Sequence, residues 1–152
     1  PNLPNDLSIA LYPSLCLFEG TDISVGRGTY APFQQIGHPD FVTDSSYSFT
    51  PISIDGMSKY PKHQDKACYG KDFSKEPLTY GFSLKYLIDY YHKYEAKDQY
   101  FNNFFKKLAG TNQLEEQIKN GMSEKEIRAS WKEELKTYKQ MRKKYLLYED
   151  FD

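Results

Sequence analysis

The sequence predicts an α+β domain, in which a small mixed or antiparallel sheet with long loops occupies the first half and packs against a helical second half. Three observations carry this. Leu84, Leu87, Ile88 and Tyr91 recur at i, i+3, i+4 and i+7, the stripe of an amphipathic helix. Ser123 and Glu126 stand three residues apart ahead of an apolar periodicity, the pattern of a capping box. The first half, by contrast, holds only short apolar or alternating runs cut by Gly and Pro.

The elements follow in order. Asn5 or Asp6 is placed to cap a short helix over residues 7–12, which Pro13 should end. Leu15-Cys16-Leu17-Phe18 reads as a buried strand feeding a glycine-rich loop. A second strand is expected from Gln34 through Asp40, then a polar turn at Thr43-Asp44-Ser45-Ser46, and Tyr47-Ser48-Phe49-Thr50 alternates as another strand. Residues 51–66 form an irregular excursion that returns at Ala67-Cys68-Tyr69, and long ordered loops of this kind often line sites. The clearest helix runs from about Phe82 to Tyr94. Phe101, Phe104, Phe105 and Leu108 repeat its spacing up to Gly110. Thr111 or Asn112 can cap a further helix through Asn120, with Gly121 as the left-handed stop. The capping box then opens a long helix whose buried stripe should be Ile127, Trp131, Leu135 (or Glu134 at its edge), Tyr138 and Met141, with Lys and Arg crowding its last turns.

Composition narrows the function. A length of 152 residues fits one domain with a real core. Twenty basic against twenty-one acidic residues give a net charge of −1, which removes the electrostatic case for nucleic acid or an anionic membrane as partner. No apolar run approaches the roughly 20 residues of a transmembrane segment. Fourteen Tyr and ten Phe suit amphipathic, sugar-facing surfaces. Cys16 and Cys68 leave one disulfide open but lack a metal-ligand spacing, and His38, His63 and His92 share none either, so no cofactor and no metal is expected. Pro1-Asn2-Leu3-Pro4-Asn5 reads as an interdomain linker.

The segment with most chemistry is 18–33. It combines Glu19, Thr21, Asp22, Arg27 and Thr29 with glycines at 20, 26 and 28 and has no helical period. Glycines permit close backbone approach, and Arg27 offers a planar fork suited to a carboxylate or phosphate. Two readings stay open here: Glu19 and Arg27 pair to brace a turn, or they face a ligand. The G-x-G-x-x-A at residues 26–31 is no dinucleotide fingerprint, because Pro32 follows and no helix begins there. Carboxylate pairs serve glycoside hydrolysis. Spacing alone does not bring any two of Glu19, Asp22, Asp55, Asp65 and Asp72 together.

Phe18-Glu19-Gly20-Thr21, then Gly26-Arg27-Gly28-Thr29, Pro32-Phe33 and Gly37 closely resemble the C-terminal part of the NamZ-type exo-β-N-acetylmuramidases. The likeness continues through Phe49-Thr50-Pro51, Gly56, Cys68-Tyr69-Gly70, Asp72, Leu108-Ala109-Gly110-Thr111, Gly121, Trp131 and Tyr145-Leu146-Leu147-Tyr148, nearly the whole chain. It implies a secreted or periplasmic bacterial enzyme that removes terminal N-acetylmuramic acid from peptidoglycan fragments. Residues 1–6 would then be a linker from an N-terminal Rossmann-like domain, and residues 7–152 the C-terminal domain. The principal catalytic acid is expected in the preceding domain, with Glu19 a weaker candidate here. Glu19, Thr21, Arg27, Gly28 and Thr29 are the substrate-binding candidates. A free-standing peptidoglycan-binding module and a structural or dimerisation domain are the alternatives.

Overall fold

The computed structural model describes residues 3–43, 46–78 and 80–150. Pro1 and Asn2 of the expected linker, and Asp44 and Ser45 of the expected turn, lie outside them. Helix α1 spans Asp6–Leu15, and Asn5 caps it by accepting from the Ser8 amide at 3.0 Å. Pro13 lies inside the helix rather than ending it. Its missing N–H orphans only the carbonyl of Ile9, a residue 52% exposed, where water can serve that carbonyl. The run expected as a strand is helical too. Leu15 closes α1 and Cys16–Gly20 forms a 3-10 turn, burying Leu17 and Phe18. A four-residue apolar run carries no period that separates strand from helix.

The sheet is three-stranded and antiparallel, with β1 (Gln35–His38) and β2 (Ser48–Phe49) flanking a central β3 (Cys68–Asp72). Gly37 stands opposite Gly70, and Ser48 opposite Tyr69. The excursion over residues 51–66 returns at Cys68 as expected.

In the second half, α2 (Lys85–Lys93) buries Leu87, Tyr90 and Tyr91. It is followed by α3 (Lys97–Tyr100) and α4 (Phe105–Ala109), the latter closed by Gly110 at φ 71°. Next comes α5 (Gln113–Lys119), where Thr111 Oγ1 accepts from the Gln113 amide at 3.1 Å. The Ser123–Glu126 capping box forms, but the expected long helix is two: α6 (Glu124–Ser130) and α7 (Lys132–Arg142), separated by a turn at Trp131. Of the expected stripe only Ile127 is fully buried; Leu135, Tyr138 and Met141 are about half exposed. α7 therefore extends past the core that shelters α6.

One core unites the halves, with Phe18, Ile23, Phe33, Ile36, Phe73, Leu87, Tyr100, Phe105 and Ile127 at its centre. α4 lies so close to the 3-10 turn that a Cβ on Gly20 would stand 2.5 Å from the Phe105 Cα. A side chain at residue 20 would push the helix away, and this contact fixes the base of the loop that follows.

Candidate functional site

Residues 19–29 form a loop held on three sides. Ser24 and Gly37 exchange backbone hydrogen bonds at 2.9 and 3.0 Å, fastening the loop along β1. The Asp22 amide donates to the Tyr100 carbonyl at 2.9 Å on the helical side. The irregular segment 51–66 straps the third side. The Ile52 amide donates to the Gly28 carbonyl at 2.8 Å, and Pro61 packs so tightly that a Cβ on Gly28, at φ 80°, would stand 2.6 Å from it. Lys62 Nζ donates to the carbonyls of Phe18, Thr21 and Ile23. One ammonium thus gathers the end of the 3-10 turn and the start of the loop, and burial pushes its pKa down to about 8 although Asp22 and Glu19 pull it upward.

At the loop's surface, Arg27 Nε donates to Glu19 Oε1 at 2.8 Å, Nη2 lies 2.8 Å from the same oxygen, and the guanidinium carbon lies 5.0 Å from the Phe33 ring centre. The pair expected from the sequence forms. It is not interior, since the two side chains are 32% and 21% exposed. Among the described residues no protein acceptor takes Arg27 Nη1, so one edge of the fork stays available. The other candidates take supporting places. Thr21 is fully buried, its hydroxyl donating to Phe18 O and accepting from the Ile23 amide. Thr29 Oγ1 donates to Gly26 O and accepts from Gln35 Nε2, and Gly28 is buried beneath Pro61. These three shape the loop, while Glu19 and Arg27 present charge.

Beside them stands a cluster the sequence reading did not assemble. Asp22 Oδ2 accepts from Tyr94 Oη at 2.7 Å and from His38 Nε2 at 3.0 Å, and His63 Nε2 donates to the Asp22 carbonyl at 2.6 Å. The His38 and His63 rings meet edge to face at 4.6 Å, with Tyr94 at 5.1 Å from His38. His63 takes a left-handed backbone at φ 55°, a strained conformation for a residue with a side chain. Burial pushes the Asp22 carboxyl up, but the bonds from Tyr94 and His38 and the nearby imidazoles outweigh it, so the net pKa lies below the usual carboxylate range. Burial and Asp22 push the Tyr94 hydroxyl well up, and burial holds His63 below an ordinary imidazole. The centre is one carboxylate, 36% exposed, held by the Tyr94 hydroxyl and the His38 ring.

Asp22, His38 and His63 bring ligand-type atoms within 4.8 Å of one another, the donor set of a transition-metal site. The hydrogen bonds do not suit a metal. The Asp40 amide donates to His38 Nδ1 at 3.2 Å, which leaves the ring proton on Nε2, and His63 Nε2 faces a carbonyl oxygen. Both rings point N–H groups at Asp22, where a metal needs lone pairs. The cluster is a clamp on a carboxylate. His92 stands apart on the exposed face of α2, and Cys16 and Cys68 are free thiols.

Residues 10–148 match the family model described as the exo-beta-N-acetylmuramidase NamZ, C-terminal. The chain is 34% identical to the peptidoglycan beta-N-acetylmuramidase NamZ of Bacillus subtilis (strain 168), across 97% of this chain and 39% of that protein. It superposes with a TM-score of 0.91 and 46% identity on the crystal structure of a DUF1343 family protein from Bacteroides fragilis NCTC 9343, covering 99% of this chain and 43% of that one. The chain thus spans about two fifths of the length of each relative.

Proposed function

The chain belongs to the NamZ exo-β-N-acetylmuramidase family as its C-terminal domain, and from that premise we propose that it forms one wall of a substrate cleft completed by the domain preceding it in the full-length protein. The full-length protein is then a glycoside hydrolase acting on peptidoglycan-derived sugars in the periplasm or outside the cell, and this domain is inactive alone. Glu19 and Arg27 face the sugar; Thr21, Gly28 and Thr29 hold the loop in shape.

The observation that carries the reading is Arg27: a guanidinium one third exposed, fixed by Glu19 and Phe33, with Nη1 open. N-acetylmuramic acid differs from N-acetylglucosamine by a lactyl ether bearing a carboxylate. A preorganised guanidinium edge is a fitting reader of that group, and it costs little ordering entropy on binding.

The test uses the full-length enzyme on chromogenic glycosides of the two sugars. Arg27→Lys keeps the charge and loses the planar fork, and should reduce discrimination for the muramic substrate about 10- to 100-fold, equivalent to about 1.4–3 kcal/mol. Unchanged discrimination refutes the role of Arg27. Mixing the separately made domains should restore turnover that neither shows alone. A second reading, a non-catalytic carbohydrate-binding module, is favoured by Tyr30 and Tyr60, which are 83% and 82% exposed on the loop and on its strap. Sugar binding by this domain alone, without turnover on mixing, would select it.

A further inference from the structure

α7 and the segment after it do not behave as part of this domain's core. None of the eleven residues Lys132–Arg142 is buried. Leu135, Tyr138 and Met141 fall three apart along one side of the helix and are 51%, 54% and 45% exposed. Beyond the helix, Tyr145, Leu147 and Tyr148 are 68%, 91% and 87% exposed. At its near end the stripe opens into an apolar groove of about 520 Å³, walled by Pro13, Leu17, Leu108, Leu114 and Trp131. An eleven-residue helix without a packed face is marginal in water, so a covering surface is needed to hold it.

Seven large apolar or aromatic residues, Leu135, Tyr138, Met141 and Tyr145 to Tyr148, are thus each at least 39% exposed within a stretch of fourteen residues, where singly scattered exposed hydrophobics are the rule on a monomer. The occupant follows from length. The relatives are more than twice as long as this chain, and the matched part is C-terminal. The polypeptide ahead of the match is tethered here at high effective concentration, whereas a second copy must arrive from bulk solution.

We propose that α7 and residues 145–148 are an arm that docks on the preceding domain of the same polypeptide and sets the position of one half of the protein against the other. The proposal rests on family membership and not on the sugar-reading role of Arg27.

Hydroxyl-radical footprinting of the full-length protein, with its mass in solution measured in parallel, tests it. Tyr138 and Tyr148 should react at least about fivefold more slowly than Tyr80, which is 71% exposed within this domain, in a protein that is monomeric. The double variant Leu147→Glu/Tyr148→Glu alters side chains about nine-tenths exposed here, so this domain's own packing is spared. It should restore reactivity at Tyr138 and split one thermal transition into two. Reactivity equal to that of Tyr80 in the wild type overturns the proposal. Protection that appears only with a dimeric mass, and vanishes on dilution, also overturns it and assigns the face to a second copy. Loss of sugar discrimination by Arg27→Lys would leave the footprint unchanged, so the two readings fail separately.

Discussion

Replacing Lys62 with Met is expected to abolish a gain in stability that the wild-type chain shows as the solution becomes alkaline. The ammonium is buried against three carbonyls, and burial brings its pKa to about 8 from the ordinary 10.5. Between those values the unfolded chain keeps a proton that the folded chain has released, so stability rises with pH there; the gain is absent below about 8 and complete above 10.5. Its full size is about 3 kcal/mol. Cys68 works in the opposite direction. Burial, with Asp22, pushes that thiol to about 12 from the ordinary 9, so the unfolded chain ionises first and stability falls above 9. The wild type should therefore climb by about 0.6 kcal/mol from pH 8 to 9, the lysine's gain of about 1 less the thiol's loss of about 0.4, and then level off. The variant shares the thiol, so the difference between the two proteins isolates the lysine. Urea unfolding followed by circular dichroism at pH 7, 8, 9 and 9.5, with thiols kept reduced, measures it. Parallel curves for the two proteins would refute the burial of a charged Lys62.

Gly28→Ala should cost about 1–3 kcal/mol, read as a lower urea midpoint, because the residue sits at φ 80° with Pro61 and the Ile52 carbonyl 2.6 Å from any Cβ; an unchanged midpoint contradicts the strap. Tyr94→Phe removes one of the donors that hold Asp22 ionised. A carboxyl held below its ordinary value contributes stability above that value and loses it as pH falls, so the variant should have a shallower acid limb and lose about 1 kcal/mol at pH 7. Zinc should leave the thermal midpoint in place. At about 100 μM a site of micromolar affinity would add about 2.7 kcal/mol, and such a shift would overturn the clamp reading of Asp22, His38 and His63.

Elements specified by local chemistry were legible in the sequence. The Leu84–Tyr91 stripe, the Ser123–Glu126 box and the stops at Gly110 and Gly121 each depend on residues within one or two turns, and each forms. In the sheet half, β2 was legible from alternation and β1 from its Gly37-His38-Pro39 end, although Asp40, expected in the strand, belongs to a 3-10 turn. Errors arose where tertiary contact decides. Leu15–Phe18 is apolar enough for a strand, but its burial under α4 takes a helical path. Leu135, Tyr138 and Met141 have the spacing of a buried stripe, and period alone does not say whether the covering surface lies in the same domain.

The site divides along the same line. Glu19 and Arg27 are eight residues apart, opposite charges within one short segment, so their pairing was one of two readings the sequence offered, and it forms. Asp22 meets His38 across 16 residues and His63 across 41, and Tyr94 across 72. No spacing rule reaches that far. One signal was nonetheless present: a lysine followed by a histidine at the end of a long Gly- and Pro-rich excursion, residue types that an irregular strap uses to satisfy carbonyls its own backbone cannot reach. The strap ties the loop down with groups of the chain itself. Lys62 and His63 take up the carbonyls of residues 18, 21, 22 and 23, and Tyr94 and His38 fix the carboxylate between them. With these groups satisfied internally, Arg27 with its partner Glu19 and the exposed part of Asp22 are the charges the loop presents to another molecule.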